Sequence, residues 1–354
     1  MIYFIPRRIV HLKSGIAFIG SVIVDEVTEV LEPGNLVYSD GSIYLKGDDY
    51  ESENVQYSLG GMATNNSVNI AKMGASYPIR VIGKIGADEN GRRIKDTFAH
   101  NGISCDYLIE TADHPTSVTQ VIYIKISEEL INRTFRYHFG AMGSLTPDDI
   151  DYSVLEGFKI AMVGYCLLVP HFDTVDPEHG AAIGRILKKL RSMGTKTCID
   201  FVTPKRDRWW KFTRFQKTLQ WVDILSIGED QAEGITGIAD EKDAAKALVE
   251  DFGVQTAVIH CGDKGENYLY SSSTGLITQP IYDVPPEEYA GNVGAGDAFT
   301  SGLLHGIHQG WDESKSLKYA TAASAVSLGS LTCTDAMREE EYILDYMTIR
   351  PLVK

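Results

Sequence analysis

Tyr289-Ala290-Gly291-Asn292-Val293-Gly294-Ala295-Gly296-Asp297-Ala298-Phe299 is the stretch from which the rest of the chain is best read. Gly294, Ala295 and Gly296 carry almost no side-chain bulk, so a large anion can approach the backbone directly. Ala298 to Gly310 then reads as a helix with Phe299, Leu303, Leu304 and Ile307 on one face. A glycine-rich turn that opens a helix presents unpaired N–H groups and the positive end of the helix dipole, which together attract phosphate. Asp297 is the odd member, because a carboxylate beside such a cradle repels the anion the cradle invites. Two readings explain it: the carboxylate caps the helix, or it takes a proton from a hydroxyl about to attack the phosphate.

Composition narrows the class. The 354 residues can bury a substantial core, with 44% hydrophobic and 23% charged residues. A net charge of -15 argues against a nucleic acid or an anionic membrane as the main partner. It also requires any nucleotide site to build its own positive field from helix ends, a metal ion or a few lysines. Cys105, Cys166, Cys198, Cys261 and Cys333 are scattered, without a Cys-x-x-Cys pair, so neither structural zinc nor a disulfide framework is expected. No stretch has the make-up of a signal peptide or the length of a membrane span, and a cytoplasmic protein is the expectation.

Outward from the opening stretch, short apolar runs alternate with amphipathic ones. Ile16–Gly20, Ile79–Gly83, Lys159–Gly164, Thr197–Val202, Val222–Ile227 and Gln255–His260 read as buried strands. Thr64–Met73, Gly91–His100, Ala181–Met193, Glu241–Phe252 and Ser316–Leu328 read as helices, several of them stopped by glycine. Tyr268–Tyr270 and Leu276–Tyr282 read as a closing hairpin. Such alternation predicts a mostly parallel sheet covered on both faces, with ligands at the carboxyl ends of its strands. Asp25, Asp200 and the loop before Asp297 fall at that edge. Residues 26 to 57 differ, with Pro33-Gly34, Asp40-Gly41 and Gly47-Asp48 marking small hairpins. In Asn132–Phe139 the alternation of Phe135, Tyr137 and Phe139 with Arg136 and His138 is that of a half-exposed antiparallel strand. This aromatic face reads as packing under a small sheet or as a dimer contact, in preference to a sugar-stacking platform.

With these residues in place, the chain resembles the ribokinase-like (PfkB) family of carbohydrate kinases from about Ile16 to Leu328. Gly60-Gly61 followed by Asn65 resembles its early signature. Gly83-Lys84-Ile85-Gly86-Ala87-Asp88-Glu89-Asn90-Gly91 resembles its Gly-x-x-Gly-x-Asp-x-x-Gly stretch, and Gly294-Ala295-Gly296-Asp297 matches its second signature. The resemblance implies a three-layer α/β/α fold over residues 1–354, with a central mostly parallel sheet and a small β lid formed by 26–58 and 114–142. It implies ATP- and Mg2+-dependent transfer of the γ-phosphoryl group to a hydroxyl of a sugar or sugar derivative. Asp297 would be the base, and the N–H groups of Gly294, Ala295, Gly296 and Asp297 would stabilise the transferring phosphoryl. Asp25, Gly60, Gly61 and Asn65 would hold the substrate. Gly262, Lys264 and Gly265 would lie in the nucleotide loop, and the lid would exclude water and offer a homodimer contact.

Three departures qualify the match, the first being His260 in place of the Thr that opens the family's nucleotide loop. Gly291-Asn292-Val293 stands where the family has Asp-Thr, which removes the aspartate of a monovalent-cation site. Gly228-Glu229-Asp230-Gln231 stands where the family has Asn-x-x-Glu near its magnesium, leaving Glu229 as the candidate metal-shell carboxylate. A nucleoside kinase on the same scaffold, and a sugar- or nucleotide-binding sensor with weakened chemistry, stay open as alternatives.

Overall fold

The computed structural model describes residues 13–31, 36–39, 42–45, 55–125, 131–262 and 265–353. Continuous apolar runs become the central strands. Ile16, Ala17, Phe18 and Ile19 are all fully buried, as a strand packed on both faces requires. Across the nine-stranded sheet the order is Gly275–Pro280, Glu266–Ser271, Thr256–His260, Ile224–Gly228, Lys196–Phe201, Ile160–Cys166, Ile16–Gly20, Ile79–Gly86 and Leu108–Thr111. The last seven run parallel, and the first two form the antiparallel closing hairpin.

Alternate residues of these strands feed two separate cores. Ala17, Ile19, Val163, Ile199 and Leu225 pack with Ile186, Leu187, Ile235 and Leu248 on one face. Phe18, Met162, Cys198 and Val258 pack with Val68, Phe98, Leu303, Leu304 and Ala320 on the other. The result is the three-layer α/β/α arrangement expected from the alternation. Helix starts follow their capping residues: the side chains of Asp88, Asp240 and Asp312 accept backbone N–H groups at the starts of Glu89–His100, Glu241–Glu250 and Glu313–Ser327.

A second sheet of four strands, in the order Val55–Gly60, Ile23–Leu31, Val118–Lys125 and Ile131–His138, stands over the carboxyl edge of the first. Its second strand begins only three residues after Ile16–Gly20 ends, so one run of chain feeds both sheets. Leu36–Ser39 and Ser42–Leu45 pair as a hairpin.

Several boundaries differ from the reading above. The first helix spans Met62–Lys72 and starts two residues earlier than Thr64, directly after Gly61. Among the elements that went unread are the edge strand Leu108–Thr111, the helix Glu229–Thr236 and the last helix Glu340–Ile349. Each is ten residues or shorter, and the last buries fully only Ile343 and Tyr346, too few positions to make a visible period.

The alanine-rich helix Glu313–Ser327 does pack closely, as its composition suggests. A Cβ built on Gly302 would meet Ala320 Cα and Ala323 Cβ, each at 3.0 Å. Gly302→Val should therefore destabilise the fold by about 1–3 kcal/mol through overpacking. A urea unfolding midpoint checks this, and an unchanged midpoint would show that the two helices have slack at this crossing.

Candidate active site

Asp297 is the third residue of the helix Ala295–Gln309, and no side chain caps that helix. The capping reading of Asp297 is thereby excluded. Its carboxylate is buried and takes three side-chain donors instead. Asn65 Nδ2 donates to Oδ2 at 2.8 Å, Asn66 Nδ2 to Oδ1 at 3.0 Å, and the Tyr165 hydroxyl to Oδ1 at 2.5 Å. Burial raises the Asp297 carboxyl above the usual carboxylate range, and the three donors oppose that shift. Burial and then the Asp297 charge push the Tyr165 hydroxyl well above the phenol range, so it stays a donor.

Asp297, Asn65 and Tyr165 line a cleft of about 290 Å³ between the two sheets. The small sheet supplies one wall through register. Asp25, Thr119 and Tyr137 lie side by side on three adjacent strands, and Val27, Val121 and Phe135 form the next row. The aromatic face, read from the sequence as packing or a dimer contact in preference to a sugar-stacking platform, contributes Phe135 and Tyr137 to the cleft wall. Val27 and Val121 pack on Val293, tying the small sheet to the turn before Asp297.

Asp25 lies three residues into the strand Ile23–Leu31, past the end of the core strand where the sequence placed it. Its carboxyl is raised to about 7, chiefly by burial, with the Thr119 hydrogen bond opposing and the Asp297 charge reinforcing the shift. Asp200, in the strand Lys196–Phe201, accepts from the Phe201 N–H at 2.6 Å and is raised well above its ordinary value by burial and by Asp297. Burial lowers His260 to about 4, so its ring is neutral near pH 7. No lysine or arginine is found among the described residues lining this cleft. Among these residues the positive field comes from the helix start.

Gly294 is left-handed (φ +78), and a Cβ there would sit 2.6 Å from Cys333 Cα. Only glycine fits that turn. Behind it is a narrower slot whose walls include Gly262, Asn267, Tyr282, Phe299 and Ala325, and which shares His260 and Gly296 with the cleft.

The family model described as pfkB family carbohydrate kinase matches residues 24–340. The chain belongs to that family. A 5-dehydro-2-deoxygluconokinase of Geobacillus thermodenitrificans is 24% identical over 309 residues, covering 83% of this chain and 86% of the relative. A ribokinase of Haemophilus influenzae is 22% identical, covering 85% and 91%. The solved structure of Arabidopsis thaliana ribokinase complexed with ribose and ATP superposes with a TM-score of 0.71 at 20% identity, covering 96% of this chain and all of that one. The last comparison shows the ribokinase-like fold.

Within this pfkB carbohydrate kinase the residues singled out in the sequence are placed unevenly. Asp25, Gly61, Asn65, Gly294, Gly296 and Asp297 line the cleft together. Gly60 does not line it, but a Cβ there would collide with Asp25 Oδ1 at 2.1 Å, so its glycine makes room for that carboxylate. Ala295 and Gly262 line the slot behind the turn. Gly265 holds the entry to the closing hairpin, where its carbonyl accepts from the Ile281 N–H at 2.9 Å. Lys264 lies outside the described residues. Glu229 opens the helix Glu229–Thr236, yet the cleft is lined from that turn by Gln231, which is clamped between the Gly228 N–H and the Phe201 carbonyl. Asn66, Thr119, Tyr165 and Cys333 went unnoticed. Only the position of Asn66 beside Asn65 offered a signal.

The Asp25 carboxyl, at about 7 when folded, retains a proton that an unfolded chain releases near pH 4. Its contribution to stability is full below about pH 4 and is lost as pH rises through about 7. The Asp25→Asn variant should lose less stability than the native chain between pH 4 and pH 8, by up to about 4 kcal/mol. Urea midpoints across that range check this, and parallel curves would count against it.

Proposed function

We propose that this chain transfers the γ-phosphoryl group of ATP to a hydroxyl of a sugar or sugar derivative, with Asp297 as the base. What supports this most is one juxtaposition: a buried carboxylate at the start of a glycine-opened helix, facing a cleft it shares with Asp25, Gly61 and Asn65. The first N–H groups of a helix have no acceptor within it. The Ala295 N–H turns back to the Asn292 carbonyl at 3.4 Å, while those of Gly294, Gly296 and Asp297 are left to meet phosphate oxygens, and the absence of a Cβ at Gly294 and Gly296 lets phosphate come close. The slot shared through His260 and Gly296 suits the flat base of the nucleotide, with the phosphates pointing toward Asp297. ATP supplies the phosphoryl group and the leaving diphosphate.

On the acceptor side, Asp25 and Thr119 offer hydrogen bonds to sugar hydroxyls. Asn65 Oδ1 is buried with no partner among the described residues, an acceptor waiting for a hydroxyl. Phe135 and Tyr137 give an apolar wall for a ring face. The small sheet serves as a lid that keeps water from the phosphoryl group. Magnesium belongs to the proposal as the companion of the phosphates, held mainly by their oxygens and by water. Glu229 is the candidate carboxylate and Gln231 the neutral lining group beside it.

Measuring ADP release with ribose, fructose, 5-dehydro-2-deoxygluconate and nucleosides tests the assignment. Asp297→Asn should lower kcat on the best acceptor by about 10²–10⁴-fold. Turnover that survives this change would remove Asp297 as the base, and binding without turnover on any acceptor would favour a sensor. Glu229→Gln should raise the magnesium concentration needed for half-maximal rate by about ten-fold while leaving the sugar KM in place. An unshifted magnesium curve would discard Glu229.

A further inference from the structure

A carboxylate offers about four lone-pair sites, two on each oxygen. On Asp297 they are filled unevenly. Oδ1 takes two donors, the Asn66 amide at 3.0 Å and the Tyr165 hydroxyl at 2.5 Å. Oδ2 takes one, the Asn65 amide at 2.8 Å. Among the described residues, the site left open is therefore on Oδ2.

The two donors on Oδ1 come from different parts of the fold and are themselves held. Tyr165 projects from the carboxyl end of the strand Ile160–Cys166 and also lines the cleft. Asn66 is fully buried, gives a second hydrogen bond to the Met62 carbonyl at 2.9 Å and accepts from Ser301 Oγ at 3.0 Å. Both partners of its Nδ2 are pure acceptors, so the amide cannot be turned the other way. Ser301 Oγ also reaches the Asp297 carbonyl at 2.7 Å, on the same helix. A carboxylate alone rotates freely about its last torsion and exchanges its two oxygens. Here two fixed donors on one oxygen oppose that exchange.

We propose that Oδ2 of Asp297 is the oxygen that receives the acceptor's proton, and that Tyr165 is the positioning residue which, with Asn66, occupies Oδ1 and so enforces that choice. The inference rests on the reading of Asp297 as the base. In the step, the hydrogen of the acceptor hydroxyl passes to Oδ2 while the acceptor oxygen bonds to the γ-phosphorus. The bond from that phosphorus to the bridging oxygen breaks, and its electron pair leaves with the nucleoside diphosphate. Asp297 becomes a neutral acid, and Tyr165 keeps its own proton throughout. The tyrosine serves only as a donor, in line with its raised hydroxyl.

Tyr165→Phe preserves the ring and removes the donor. Its kcat on the best acceptor of the ADP-release panel should fall about ten- to hundred-fold, the range for losing a hydrogen bond to a charged group. The KM for that acceptor should stay within about two-fold if the hydroxyl acts through Asp297. The acidic limb of the kcat/KM profile should move to higher pH, because a donor that favoured the charged carboxylate is gone. Carbon-13 NMR of aspartate-labelled protein, with the Asp297 signal assigned by Asp297→Asn, should show that carboxyl titrating at higher pH in Tyr165→Phe. This reading needs no turnover. Asn66→Ala should move the same signal in the same direction, which covers the case of a poorly folded Tyr165→Phe. An unmoved carboxyl signal, or a change in KM alone, overturns the proposal. If Asp297→Asn kills turnover while Tyr165→Phe leaves the limb and kcat in place, the positioning role fails and the base survives. If Asp297→Asn turns over normally, the base reading fails first and takes this inference with it.

Discussion

A carboxylate removed from water must find compensation inside the protein, and the buried Asp297 finds it in three side-chain donors. The helix Met62–Lys72 contributes two of them and the strand Ile160–Cys166 the third. The helix that carries Asp297 is thereby registered against another helix and against the middle of the sheet. A shift of either partner would strand a buried charge, so the constraint acts on packing as much as on chemistry. It also joins the two halves of the proposed reaction, because the turn that cradles phosphate and the acid that faces the acceptor are four consecutive residues.

The architecture supplies the remaining groups through one edge. Parallel strands all deliver their carboxyl ends to the same side, which brings Tyr165, Phe201 and His260 to a common rim. The small sheet grows out of the core strand Ile16–Gly20 almost without a linker, and this fixes the Asp25–Thr119–Tyr137 row over that rim. Three carboxyl groups, of Asp25, Asp200 and Asp297, face one small space; burial raises all three, and the Asp297 charge adds to the shifts of Asp25 and Asp200. With a neutral His260 beside them, attraction for a polyphosphate falls, among the described lining residues, to the helix start, together with ions that arrive with the nucleotide.

Much of this was legible along the chain wherever the signal was local. Gly294-Ala295-Gly296-Asp297 is contiguous, and a glycine turn feeding a helix carries its meaning in its own residues. Asn65 was visible in a signature, though the role of its amide was not. Capping seemed a fair account of Asp297 until the structure showed a helix start with no side-chain cap and a carboxylate engaged by Asn65, Asn66 and Tyr165. The period-2 pattern at Phe135 and Tyr137 showed that the two share a face without saying what that face meets. Glu229 stood out as a carboxylate in the right turn, while the group that reaches the cleft is the neutral Gln231.

What the sequence by itself determined is the order of strands and helices, hence a parallel sheet, and the anion-attracting start of the helix at Gly294. Both follow from periodicity and backbone freedom, which depend on near neighbours. The tertiary structure alone decided which distant side chains share the cleft, which oxygen of Asp297 is filled, and why Gly60 stands beside Asp25. Those outcomes depend on hydrogen bonds and close contacts between residues far apart in the chain, and such distances exist only once the fold is closed.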